Sequence, residues 1–165
     1  MRDFVAGLVA LALLVFAASL ATTLHVYRRW RQRAIDSERA LGRTIVAELP
    51  TNDSLLLFSE DEVRFHYGDR SVDKDLITAV RVLINGSPIA AVVARRYSQQ
   101  QSQPTTFEDR PEGIARDRWD VAIESVRGTL LVECGAIRER VSQELARAVF
   151  DAIKRDLERR DTETK

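Results

Sequence analysis

The chain has 165 residues, with 25 basic and 25 acidic side chains that give a formal net charge of zero. Because phosphate binding relies on an excess of Lys and Arg, this balance predicts no nucleic-acid partner. The single cysteine, Cys134, excludes an intrachain disulfide and a metal site built on cysteine pairs.

The first element is an apolar segment, FVAGLVALALLVFAASLATTLHV, which covers residues 4–26 and contains no Asp, Glu, Lys or Arg. At ~1.5 Å rise per residue, about 20 apolar residues cross a ~30 Å hydrocarbon core as a helix. The sequence therefore predicts a transmembrane anchor over residues 1–27, including the short N-terminus. Small residues at four-residue spacing, such as Ala6 and Ala10, would allow two spans to pack together as a homodimer.

Basic and aromatic residues follow directly after the apolar segment. They are Tyr27, Arg28, Arg29, Trp30, Arg31 and Arg33. Positive charge stays preferentially on the cytoplasmic side, whereas the N-terminal side offers only Arg2, offset by Asp3, and the amino group. This asymmetry predicts a cell-membrane protein with its N-terminus outside and its C-terminal domain in the cytoplasm. We interpret the six residues as a membrane-interface and topology site, in which each arginine attracts anionic lipid by ~1 kcal/mol.

Two other readings of the N-terminal segment compete with an anchor. A cleaved signal peptide would use the small residues of Ser19-Leu20-Ala21 and start the mature chain at Thr22. The apolar run continues past that point and the arginines follow it, which favours an uncleaved anchor. Type IV pilins and pseudopilins also place an apolar helix before a sheet, with a Glu five residues after a leader that ends in Gly. Here Gly7 is followed by Leu8, and the first glutamate is Glu38. These residues do not match the pilin pattern, which disfavours that reading.

Residues 28–49 predict a basic juxtamembrane helix, because Gly42 is their only glycine and no proline occurs before Pro50. A thin apolar stripe along this helix either pairs with a partner, as a stalk, or packs on the domain that follows. Residues 50–157 have the length of one small globular domain. Residues 158–165 predict a polar tail that frays.

The globular domain begins with a predicted hairpin of residues 55–58 and 63–67. A turn at Glu60-Asp61 would pair Phe58 with Val63. These side chains would then share one face of the sheet with their apolar neighbours at two-residue spacing.

Asn85-Gly86 is the strongest local signal, because both central positions of a type I′ turn need a positive φ. This turn would pair Val82 with Ile89. Pro88 lacks a backbone donor and predicts that its strand begins at the edge of a sheet.

Residues 97–113 predict a polar loop, which is either a tolerated insertion or a partner-binding segment. A short additional strand is predicted near Phe107.

The third hairpin joins residues 119–126 to residues 129–134 through Arg127-Gly128. Its register would pair Ile123 with Val132. One face would carry Trp119 and Cys134 with the apolar residues, and the other Asp120, Glu124 and Glu133. An amphipathic helix then closes the chain, with apolar residues every four positions: Val141, Leu145, Val149 and Ile153.

These elements define an α+β fold class: a transmembrane helix, then a mainly antiparallel domain of six to seven strands and a C-terminal helix. Their order over residues 54–157 resembles the pleckstrin-homology-like (PH-like) domains of bacterial membrane proteins. The resemblance implies a small barrel or sandwich of two sheets capped by the terminal helix. The acidic connection Ser59-Glu60-Asp61-Glu62 departs from the Lys/Arg cluster of phosphoinositide-binding PH domains, so inositol-phosphate binding is not implied.

Residues able to carry chemistry are few. His25 and His66 are the only histidines. His66 is predicted on the outer face of its strand, whereas Cys134 lies on the predicted packed face of its own strand. Loop acids such as Asp117 and Asp120 could act with His66 in a membrane-tethered enzyme. The sequence contains no EF-hand spacing, His-x-x-x-His pair or Gly-rich phosphate loop, so we predict no catalytic, cofactor or metal site.

The sequence thus predicts a single-pass membrane protein whose cytoplasmic domain is a non-catalytic interaction or scaffold module. Its partners would be the lipid bilayer and a protein that the sequence does not identify. The alternatives are a membrane-tethered enzyme and an exported globular domain released by signal-peptide cleavage.

Overall fold

The computed structural model describes residues 2–50, 55–97 and 118–163, with the backbone alone for residues 2–10. The chain divides into two compact units, Met1–Leu41 and Gly42–Lys165. The first unit is helical and the second is an α+β unit of two antiparallel sheets and a C-terminal helix.

Helix α1 covers Arg2–Ala40 without interruption. It ends beside Gly42, whose φ of +75° is the left-handed conformation that favours glycine after a helix. The prediction that the helix continues to residue 49 is wrong. Thr44–Pro50 form strand β1, because Thr44, Ile45 and Val46 are β-branched and suit a pleated strand better than a helix.

Seven more strands follow β1 in the described part of the second unit. They are β2 (Leu55–Glu60), β3 (Arg64–Tyr67), β4 (Arg70–Asp73), β5 (Ile77–Ile84), β6 (Ser87–Val93), β7 (Arg118–Ser125) and β8 (Gly128–Ala136). The first sheet has the order β1-β2-β3-β4 and the second the order β6-β5-β7-β8. A short 3₁₀ turn, Lys74–Leu76, carries the chain from one sheet to the other. Strands β1 and β4 were not predicted.

The first predicted hairpin exists as β2 and β3, but its register differs from the prediction. Phe58 pairs with Tyr67 rather than with Val63. The reason is a longer connection, in which the Asp61 carboxylate accepts hydrogen bonds from the backbone N–H groups of Val63 and Arg64, at 2.8 and 2.6 Å. Because the shift is by an even number of residues, Phe58 and Phe65 stay on the predicted buried face, whereas Val63 lies in the connection and is exposed.

The Asn85-Gly86 turn is confirmed, with φ values of +51° and +81° at its two residues. Leu83 pairs with Pro88 as the turn requires, but Val82 pairs with Ala90. A β-bulge therefore inserts Ile89 as an extra residue, and the predicted pairing of Val82 with Ile89 is wrong. Strand β6 lies at the edge of its sheet, as Pro88 predicted.

The third predicted hairpin exists as β7 and β8, with Ile123 opposite Leu130 rather than Val132. Its turn is Val126-Arg127, because Ser125 pairs with Gly128 and its hydroxyl donates to the Gly128 carbonyl at 2.8 Å. The predicted loop over residues 97–113 and the strand near Phe107 lie outside the described residues, apart from Tyr97 in a 3₁₀ turn.

Helix α2 covers Arg140–Glu163 and packs against β1, β5, β7 and β8. Its buried stripe includes Ala146, Val149 and Ile153, whereas the predicted stripe residue Val141 is exposed. The prediction of a fraying tail from residue 158 is wrong for residues 158–163, which are helical. There the Asp161 carboxylate accepts a hydrogen bond from the backbone N–H of Arg95 at 3.2 Å.

Candidate functional site

The predicted membrane-interface residues all lie on α1 and are exposed: Tyr27, Arg28, Arg29, Trp30, Arg31 and Arg33. Residues 11–26 of the same helix carry exposed apolar side chains, such as Leu14 and Phe16. Within Leu11–Ala40, an 18-residue window has a mean hydropathy of 1.5, and none of it is buried. In the described part of the chain, α1 is the one helix long and apolar enough to cross a membrane. A signal sequence would have the same properties, so membrane crossing and orientation stay predictions.

The second unit has a charged cleft with a volume of about 820 Å³ between the first sheet and α2. Glu60, Asp61 and Glu62 line one side, and Arg155 and Arg159 line the other. The two sides therefore carry opposite charge.

Lys74 and Asp156 lie in the cleft and are buried, at 4% and 5% exposure. The Lys74 ammonium donates to Glu60 Oε2 at 2.9 Å and lies 3.8 Å from Asp156 Oδ1. It also lies 4.6 Å from the centre of the Phe65 ring, which is a cation–π arrangement.

Two arginines complete the surroundings of Asp156. Arg159 Nη2 lies 2.7 Å from Asp156 Oδ1, and Arg160 Nε lies 2.8 Å from Oδ2. Asp156 thus joins α2 to the 3₁₀ turn between the sheets through Lys74. Buried charges need such compensation, so loss of one member of this network is expected to destabilise the second unit.

His66 is buried, which corrects its predicted place on an outer face. Its Nε2 lies 2.8 Å from Asp61 Oδ2. The hydrogen bond from His66 and those from the Val63 and Arg64 backbone lower the pKa of Asp61 to about 2. Ser59 lies opposite His66 in the ladder, but it is buried and a solvent-borne substrate cannot reach it.

We expect the Asp61→Asn substitution to remove part of the acid sensitivity of folding. Because the folded-state pKa of Asp61 is lowered from 3.8 to about 2, its contribution is present above pH ~4 and is lost as the pH falls towards 2. Unfolding free energies measured between pH 2 and 6 should therefore fall more steeply for the wild type. Asp69→Asn, on the exposed β3–β4 turn, is the control, and equal slopes for all three proteins would contradict the assignment.

Cys134 lies in the core as predicted, and its burial, followed by the Asp120 charge, raises the pKa of its thiol to about 12. Asp120 was predicted on the face opposite the apolar residues, and it is buried as well. Arg118 Nε compensates it at 2.8 Å, and Arg118 Nη1 lies 3.0 Å from Glu133 Oε2. Asp117 lies outside the described residues.

Among the residues that the structure describes, no group of three His, Cys, Asp or Glu side chains is placed to hold a metal ion. The charged cleft was missed at the sequence level, since its residues come from β2, α2 and the turn at Lys74. No protein family, curated protein or solved structure matches this chain.

Proposed function

We propose that this chain is a single-pass membrane protein and that its α+β unit is a non-catalytic interaction module on the cytoplasmic side. The observation that carries the proposal is the apolar surface of α1, which is exposed along residues 11–26. Leaving such a surface in water is unfavourable by ~25 cal/mol per Å², so a surrounding bilayer would stabilise it, which supports the proposal. The arginines that follow the apolar part favour the inward orientation of the second unit.

The second unit is proposed to have a PH-like fold. The two antiparallel sheets and the C-terminal helix that packs against them support this fold class. The surroundings of the two potentially reactive side chains, His66 and Cys134, support a binding role. His66 is engaged by Asp61, and burial disfavours the thiolate of Cys134.

Topology reporters test the orientation. A C-terminal fusion that is active only in the cytoplasm should be active, and one that is active only outside should be silent. Changing Arg28, Arg29, Arg31 and Arg33 to Gln should lower the cytoplasmic signal, because the basic bias next to the span is then lost.

The matched control removes the same charge far from the span, by changing Arg138, Arg140, Arg147 and Arg155 to Gln. Only residues within about 15–20 positions of a span influence its orientation, so this control should keep the wild-type topology. An active outer reporter on the wild-type chain would refute the proposed orientation.

A further inference from the structure

An apolar groove lies between α2 and the β6 edge of the second sheet. Its volume is about 240 Å³, and its lining includes Val82, Trp119, Ala146 and Phe150. Pockets for drug-sized molecules start at about 300 Å³. The groove is therefore better matched to one apolar side chain of a protein than to a whole small molecule.

A protruding apolar side chain stands beside this groove. Ile89 is the extra residue of the β6 bulge and is 55% exposed, although it also borders the groove. Bulged residues are left out of the strand ladder, so the backbone of Ile89 is open to another partner. One surface thus carries both an apolar projection and a hollow that fits such a projection.

Trp119 also contributes to the lining of this groove. Its Nε1 is buried and has no hydrogen-bond acceptor within the described residues. Nε1 is closed to solvent in this structure, so the part of Trp119 that a partner can contact is its ring.

The charges at the groove are self-complementary. Arg147 and Asp151 are exposed, lie one helical turn apart on α2 and border the groove. Neither forms an ion pair within the described residues, since the ion pairs of α2 involve other side chains. In a two-fold arrangement of two copies, Arg147 of each copy would face Asp151 of the other.

We propose that this groove is a self-association surface, in which two copies pair around a two-fold axis and Ile89 of each enters the groove of the other. The Arg147–Asp151 pairs would set the relative orientation of the copies. This inference rests on the proposed function and names one partner of the interaction module. Anchoring to one membrane would raise the effective concentration of the copies.

Thiol crosslinking of the full chain in membranes tests the surface directly. Gln143→Cys places an exposed thiol at the groove, whereas Glu62→Cys places one at the charged cleft. Native Cys134 is buried, so the wild-type chain gives the baseline yield of crosslinked dimer. We expect a crosslinked dimer with Gln143→Cys and none with Glu62→Cys. A Gln143→Cys chain that stays monomeric, or that crosslinks to a different protein, would overturn self-association.

Substitutions in the Gln143→Cys background identify the contacts. Ile89→Asp should weaken self-association by ~10-fold or more, because it puts a charge into the apolar groove. Val126→Asp is the control, since Val126 is also 55% exposed but lies on the β7–β8 turn. Equal crosslinking in these two variants would overturn the proposal.

Charge reversal tests the two-fold arrangement. Arg147→Asp and Asp151→Arg should each reduce crosslinking, and the double variant should restore it. If the double variant does not regain crosslinking, the proposed pairing is overturned.

The amount of the chain in the membrane fraction is measured in parallel. A chain absent from that fraction refutes the proposed function, whereas a membrane-bound monomer refutes the self-association alone.

Discussion

Replacing Asp156 by Ala is expected to lower the unfolding free energy of the second unit by ~3–5 kcal/mol. Lys74, Arg159 and Arg160 all have nitrogen atoms within 4 Å of its carboxylate, at 3.8, 2.7 and 2.8 Å. Within the residues that the structure describes, removing the carboxylate leaves the buried Lys74 with Glu60 as its ion-pair partner. Urea unfolding of the full chain in detergent micelles measures the effect.

A second variant separates loss of the ion pair from loss of packing. Replacing both partners, as Lys74→Met with Asp156→Leu, should be less destabilising than Asp156→Ala, because the buried ammonium is then removed together with the carboxylate that it faces. Glu144→Ala removes an exposed ion pair with Arg140 on the same helix and should cost only ~0.5 kcal/mol. An Asp156→Ala protein as stable as the Glu144→Ala protein would refute the structural role of this network.

Phe58→Ala should also destabilise the second unit by ~3–5 kcal/mol. Phe58 and Phe65 are fully buried, and their rings stack with centroids 5.7 Å apart. Truncation therefore leaves a cavity in the first sheet and removes an aromatic contact. The same substitution at an exposed apolar residue of this hairpin, Val63→Ala, should change stability by less than ~0.5 kcal/mol. Similar unfolding midpoints for the two variants would contradict the assigned core.

Local turn chemistry explains which hairpin registers could be predicted. The backbone demands of Asn85-Gly86 define a single turn, so pairing close to it followed from the sequence. The Asp61 side chain instead holds a longer connection, and the Ser125 hydroxyl holds the turn at Val126-Arg127. In the β2–β3 and β7–β8 hairpins, the observed register differs from the predicted register by an even number of residues. The buried faces could therefore be predicted even though the residue pairs could not.

The boundary after α1 was misplaced because the charged residues before and after residue 40 continue a helical pattern. Gly42 was treated as an interior glycine, although it carries the positive φ that follows a helix end. The β-branched run Thr44-Ile45-Val46 was the available signal for β1.

The buried charges of the second unit could be predicted only in part. Asp156 lies seven residues after Val149 and three after Ile153, so its place on the buried stripe of α2 could be read from helical spacing. Lys74 gives no such signal, because its burial depends on Glu60 and on α2, which are distant in sequence. Residues on separate elements become a site only once the strand order is known.

The central claim is that α1 is retained as a membrane anchor, and the intact mass of the chain from carbonate-washed membranes tests it most directly. We predict that the protein stays in the membrane pellet and that its mass includes residues 1–21. A soluble protein that begins at Thr22 would contradict the claim, because the apolar segment would then be a cleaved signal peptide.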